Sequence, residues 1–522
     1  MTESSGTPVN AAASRHPRRW IGLAVLCSSL LVVVMDMTIL NVALSAISAD
    51  LFPTSVELLW IVDVYGLVVA GFLVTASGLA DRFGRRRMLL IGYTVFGTVP
   101  LLVLIVESPA GLIALRGLLG LGGALIMPST MSMIRGLFTD ARERALALGV
   151  WAAVASVGSG VGPIVGGVLV EFFDWHAAFL FNTPVMILAA AASILLLPES
   201  RGVAVPWDVP GIGLSVVGMA SLMYAIKGIG EHGFTDVPAV VASIVAVIAL
   251  TAFTLRSLRR KLPLLDLRLL RRPQLSAGLV YAVVSSIGIA ALLLLLAQWM
   301  QLVNGDTPIQ TGLSFLPLAI VAGVLSPLAP RIAEVIGARA AMAGGLAVGG
   351  VGFASLYLGG DALGFGLVVV CQVLIGISIA PLAVGSALIM SAVPPERTGN
   401  ASALEETGYE LGNALGVAVL GSVAAAMFRN SLPVEDLARY GVTGDAVLDA
   451  QESLGGAVSV AEQLGPAGNG LVAQAQAAFT DALEVVGLVG GALMVAAAVV
   501  VWFMTPRGVT FEDLDVEHHA AP

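Results

Sequence analysis

The stretch Trp20–Leu44, WIGLAVLCSSLLVVVMDMTILNVAL, is long enough to cross about 30 Å of hydrocarbon as a helix, and it carries one acid, Asp36, about two-thirds of the way along. It is too long for the apolar core of a cleaved signal peptide, so it reads as a retained first span. An acid at the centre of a spanning helix costs roughly 2.5 to 3.5 kcal/mol, which calls for a partner or a wet, protein-lined cavity. Comparable runs recur along all 522 residues, of which 57% are hydrophobic and 12% charged. Soluble domains carry about a quarter charged residues. The chain therefore reads as an all-α integral membrane protein.

Fourteen spans are predicted, near 20–44, 57–80, 88–106, 111–134, 145–170, 178–198, 209–229, 237–256, 276–301, 311–333, 338–358, 362–391, 403–428 and 480–504. Most of the 26 Lys and Arg residues fall on one side of this layout. They cluster at Arg15–Arg19, Arg82–Arg87, Arg135–Arg144 and Arg256–Arg272. The positive-inside rule then puts both termini in the cytoplasm, and an even span count agrees. The net charge of −9 arises from acids on the outer side, such as Asp50, Glu107, Glu171, Asp174 and Asp236, and gives no hint of a nucleic-acid partner. Cys27 and Cys371 lie in apolar spans and read as small packing residues.

The domain layout follows. A tail, 1–19, precedes a six-helix half at 20–200; two inserted helices occupy 201–257; a second six-helix half comprises 258–428 and 480–505; a cytoplasmic tail, 506–522, ends the chain. The inserted spans hold few polar groups beyond Lys227 and can sit against lipid. An outer loop, 429–479, shows short helical patterns near 445–463 and 471–479 and reads as either a cap or a gate. The basic loop Gly78–Arg87 has a degenerate echo at Pro327–Arg339, as two pseudo-equivalent halves would produce.

Four motifs carry a family resemblance. Gly78–Arg87, GLADRFGRRR, supplies glycines for a tight turn, Asp81 to cap the next helix or pair with an arginine, and a basic cluster that includes Arg82 and Arg85 beside Gly84. Arg116 opens RGLLGLGG in the fourth span. Gly149, Gly158, Gly162-Pro163 and Gly166-Gly167 form a glycine pattern in the fifth. Asp36–Leu44 lies in the first. Together these resemble the major facilitator superfamily, in its fourteen-helix drug and proton antiporter branch. In the second half, Gly399–Asn413, GNASALEETGYELGN, is similar to the thirteenth-helix region of QacA-type quaternary-ammonium exporters. One departure is Ala322, near where some of those exporters carry an Asp in helix ten.

The resemblance implies a major facilitator fold with two pseudo-symmetric six-helix halves and two extra helices. It also implies a proton-coupled exporter of lipophilic cations in the bacterial cytoplasmic membrane, working by alternating access and as a monomer. An exporter of one endogenous antibiotic or other amphiphile is the alternative. No phosphate-cradling loop, nucleophile elbow or zinc-like spacing of Cys and His occurs in the sequence, so neither an enzyme nor a metal or other cofactor is expected.

The residues themselves suggest roles within that frame. Opposite charges on Asp36 and Arg116 make them candidate partners whose link a proton would loosen. Glu406 and Glu410 are spaced i, i+4 and share a helix face, whereas Glu405 projects about 100° away. Two carboxylates facing one cavity disfavour simultaneous ionisation. The competing reading makes Glu405 and Glu406 a solvated helix end. Asp63, with Trp60 and Tyr65 nearby, either meets a cationic substrate or faces solvent, and Tyr409 adds aromatic surface. Proton coupling is thus expected of Asp36, Arg116 and Glu406, and substrate contact of Asp63, Glu405, Glu406, Glu410, Trp60, Tyr65 and Tyr409. Gly158, Gly162 and Gly166 form a small-residue stripe for close helix contact, with Pro163 able to bend the helix.

Overall fold

The structure is a computed structural model and describes residues 17–53, 55–202, 208–232, 235–359, 363–394 and 397–506. Every regular element among them is helical. The first half comprises α1 (Arg19–Leu51), α2 (Ser55–Phe83), α3 (Arg85–Thr98), α4 (Pro109–Leu137), α5 (Ala141–Phe172) and α6 (Trp175–Leu196). The inserted pair is α7 (Val209–His232) and α8 (Val237–Arg259). The second half comprises α9 (Pro273–Val303), α10 (Ile309–Leu325 with Ala329–Ile336), α11 (Ala338–Tyr357), α12 (Phe365–Ser391), α13 (Thr398–Ser431) and α14 (Asn469–Met504). Starts are marked locally: Ser108, Asp140, Asp174 and Asp236 accept hydrogen bonds from first-turn N–H groups of α4, α5, α6 and α8.

Among the described residues, 12 helices are long and apolar enough to cross a membrane, and 13 when the pair forming α10, bent by 59°, counts as one. The expected fourteen are not all reached on that criterion. The shortfall is α5, a continuous 32-residue helix whose described apolar stretch is only Val161–Phe172.

Lipid offers no hydrophobic drive for helices to associate, so close packing must hold the halves together. Glycine provides it in the same way twice. Gly158, Gly162 and Gly166 of α5 press on Leu31, Thr38 and Ile39 of α1. Gly408, Gly412 and Gly416 of α13 press on Leu279 and on the Val283 and Ile287 carbonyls of α9. In each half, then, the fifth helix lies backbone-close on the first. A second correspondence lies in the basic loops: Gly84 (φ +115°) precedes α3 and Gly337 (φ +86°) precedes α11, both in the left-handed region that favours glycine.

Asp81 does not cap α3; it grips Arg85 at 2.9 and 3.1 Å, within reach of the α3 start but across the turn. Glu199 at the end of the first half closes the same turn, accepting from the Arg86 N–H at 3.1 Å. A side chain at Gly84 would strike the Glu199 carboxylate, which adds a steric reason for glycine there.

One reading of the sequence changes. The inserted pair is not uniformly lipid-facing. α8 presents Val241, Ile244, Val247 and Ile248 outward, whereas α7 turns Met223 and Lys227 inward and stacks Tyr224 on Trp60 at 5.9 Å. An ionic clamp seats the pair: Asp208 bonds Arg256 at 2.7 Å and Arg260 at 3.1 Å. Burial of Asp208 opposes its charge, but Arg256, the Gly211 N–H and Arg260 outweigh that and hold the carboxyl below its ordinary range. The outer loop carries short helices where they were expected near 445–463, and the pattern expected near 471–479 is the start of α14. It folds as Val434–Arg439, Asp445–Glu452 and Leu454–Gln463, and α14 begins at Asn469, eleven residues before the predicted 480.

Candidate functional site

A cavity of about 590 Å³ lies between the halves, away from the arginine-rich end. Its walls come from both halves and from the insert. Met37, Tyr65 and Arg116 face it from α1, α2 and α4; Lys227 from α7; Gln298 from α9; Glu410 and Asn413 from α13. Phe428, Leu454 and Phe479 close its far end, with Phe428 and Phe479 in edge contact at 6.3 Å. Volume, apolar walls and a few convergent polar groups are the features of a small-molecule site.

Asp36 and Arg116 meet at 2.6 Å, with both side chains at most 3% exposed. The Asn182 amide of α6 donates to the other Asp36 oxygen at 2.7 Å. The Arg116 guanidinium also donates to the Ile61 carbonyl at 3.2 Å and lies 4.7 Å from the Tyr65 ring centroid. The pair thus fastens four helices, α1, α2, α4 and α6, around one buried charge exchange. A buried pair of this kind is strongly destabilised when only one member is removed.

The three glutamates of α13 have three environments. Glu410 lines the cavity. Glu405 turns away to α12, where it accepts from the Ser386 hydroxyl and, within its own helix, from Tyr409 at 2.7 Å. Glu406 is fully buried, and neither of its carboxyl oxygens has a hydrogen-bond partner among the described residues. Glu405 and Glu406 are both 0% exposed, so the solvated-helix-end reading fails. Glu406 and Glu410 share a face as spacing requires, but only Glu410 reaches the open volume. A π-turn at Gly416–Leu420 follows directly, and its Val417 and Ala418 belong to the cavity wall. Such turns often occur at functional sites.

Aromatic expectations divide as well. Tyr65 lines the cavity; Trp60 lies on the outer flank, 37% exposed against Tyr224; Tyr409 serves Glu405 rather than the cavity. The Asp63 side chain lies outside the described residues. Sequence reasoning missed Asn182 as the second partner of Asp36, Asn413 beside Glu410, and the inward turn of Lys227. The signal for Lys227 was present, since an ionisable residue inside a span is a site candidate by default.

The fold and this intramembrane site define a class: a multi-pass membrane transporter rather than an enzyme. The family model described as Major Facilitator Superfamily matches residues 26–417, and the chain belongs to that family. It is 36% identical to the multidrug efflux pump LfrA of Mycolicibacterium smegmatis, over 95% of this chain and 98% of that protein. It is 31% identical to the methyl viologen resistance protein SmvA of Salmonella typhimurium, over 93% and 98% respectively. Among solved structures, an inward-facing bacterial homologue of the lysosomal transporter Spinster matches with a TM-score of 0.59 at 17% identity, covering 98% of this chain and all of that one. That likeness concerns the fold alone.

Proposed function

We propose that this protein is a proton-coupled antiporter that expels lipophilic cations across the bacterial cytoplasmic membrane, its arginine-rich end facing the cytoplasm. The observation that carries the reading is the cavity between the halves, whose wall includes Glu410 together with Tyr65, Met37, Phe428 and Phe479. An anionic group amid aromatic and thioether surface suits an organic cation, through charge, cation–π contact and dispersion together. The efflux and resistance roles in the names of LfrA and SmvA support export of this cargo class.

Protons are handled next to the cargo. Ionising a buried carboxyl that has no hydrogen-bond donor is costly, and Glu406 has none among the described residues, so it is a place to hold a proton rather than a charge. Asp36 exchanges Arg116 for a proton, which loosens the link between α1 and α4. Release of cargo on one side and of protons on the other then alternates with rocking of the halves. The protein acts as a monomer in this scheme.

The test is proton flux. Purified protein in liposomes with an acidic interior should release protons from the lumen when ethidium or tetraphenylphosphonium is added outside, and should take up the dye. Uptake of dye with no proton movement would reject the antiport reading.

A further inference from the structure

Lys227 is one of two lysines in the chain and the only one within a predicted span. It belongs to the insert, yet α7 delivers it to the same cavity as Glu410. The two side chains act on each other electrostatically. Arg116, which also lines the cavity, holds Asp36 at 2.6 Å. Glu410 therefore shares its cavity with a cation that belongs to the protein itself. We infer that Lys227 is a tethered counter-cation that occupies Glu410 until a cationic substrate displaces it, and so sets which cations are accepted. This rests on the assignment of the cavity as the cation site.

The consequence is selectivity by surface rather than by charge. A tethered ammonium has the advantage of high effective concentration over any free competitor. Its own aliphatic stem cannot cover Tyr65, Phe428, Phe479 and Met37 together. A bulky, delocalised cation covers them and gains cation–π and dispersion energy that the ammonium lacks. A small hydrophilic cation gains neither and stays excluded. The insert, which has no counterpart in either six-helix half, thereby gains a role in the site.

The experiment is ethidium binding at pH 8, followed by fluorescence on the purified full chain. Lys227→Met keeps the stem and removes the charge, so Kd should fall by about 10-fold, the scale of a partly desolvated charge pair. K227R should restore the wild-type Kd. In a Glu410→Gln background the K227M effect should vanish. K227Q serves as a second neutral variant if K227M does not fold. An unchanged or raised Kd in the neutral variants, or an effect that persists without Glu410, would overturn the inference. Should E410Q alone leave ethidium affinity untouched, the cavity assignment itself falls, which is a separable result.

Discussion

At the scale of single residues, each acid is distinguished by what surrounds it rather than by its depth. Asp36 has a guanidinium and an amide, Glu405 two hydroxyls, Glu410 a cavity, and Glu406 no donor among the described residues. The Asp36 site joins a carboxylate of the membrane interior directly to a buried opposite charge, which must also be satisfied. Replacing Asp36 by Asn preserves shape and the contact with Asn182 but strands Arg116. Stranding a buried charge costs about 3 to 5 kcal/mol. We expect D36N to lose proton-driven efflux and to melt earlier in a thermal-shift assay. In D36N/R116Q the melting temperature should recover in part while efflux stays absent. A single D36N variant with full proton-driven efflux would remove Asp36 from the coupling scheme.

At the scale of helices, glycine decides where backbones can meet. An added Cβ at Gly162 would collide with the Thr38 hydroxyl, and one at Gly412 with the Val283 carbonyl. One at Gly213 of α7 would meet nothing within 4 Å. Overpacking costs about 1 to 3 kcal/mol, whereas Gly to Ala in an open helical position gains about 0.4 to 1. G162A and G412A should therefore lower the melting temperature, and G213A should hold or raise it; equal effects at all three sites would contradict the packing account. These stripes were legible in the sequence because a four-residue glycine repeat has one structural meaning along a helix. So was the Gly78–Arg87 turn, although Asp81 could have capped or paired and only the fold decides for Arg85. The inward turn of α7 was not legible. A span with one lysine has a nearly uniform apolar surface, and the face it hides depends on Glu410 and Trp60, both remote in the chain. The helices of the outer loop were readable as patterns, but their closure over Phe428 and Phe479 depends on long-range contact.

At the scale of the whole molecule, the halves meet in a manner that their pseudo-symmetry organises. The last turns of α2 in the first half reach the start of α13, where Ser77 donates to the Gly399 carbonyl at 2.5 Å and Asp81 packs on Gly399. From the end of α10 in the second half, Glu334 reaches the start of α5, bonding Arg142 at 3.1 Å. The end of each half's second helix thus touches the start of the fifth helix of the other, and the cavity lies beyond these contacts. If transport requires these contacts to part, a covalent tie across them must stop it. Ser132 of α4 and Ser402 of α13 stand 3.0 Å apart at their hydroxyls, close enough for a disulfide after double replacement by cysteine. Oxidised S132C/S402C should lose transport and regain it on reduction. The control lies inside one half, where Ser355 of α11 lies one turn from Gly352, which packs on the Cys371 carbonyl of α12. A disulfide between S355C and Cys371 joins helices that move together and should leave transport intact. Transport that continues in fully oxidised S132C/S402C would mean that the arginine-rich end never opens between α4 and α13, and the rocking of halves would have to be replaced by a smaller movement around the cavity.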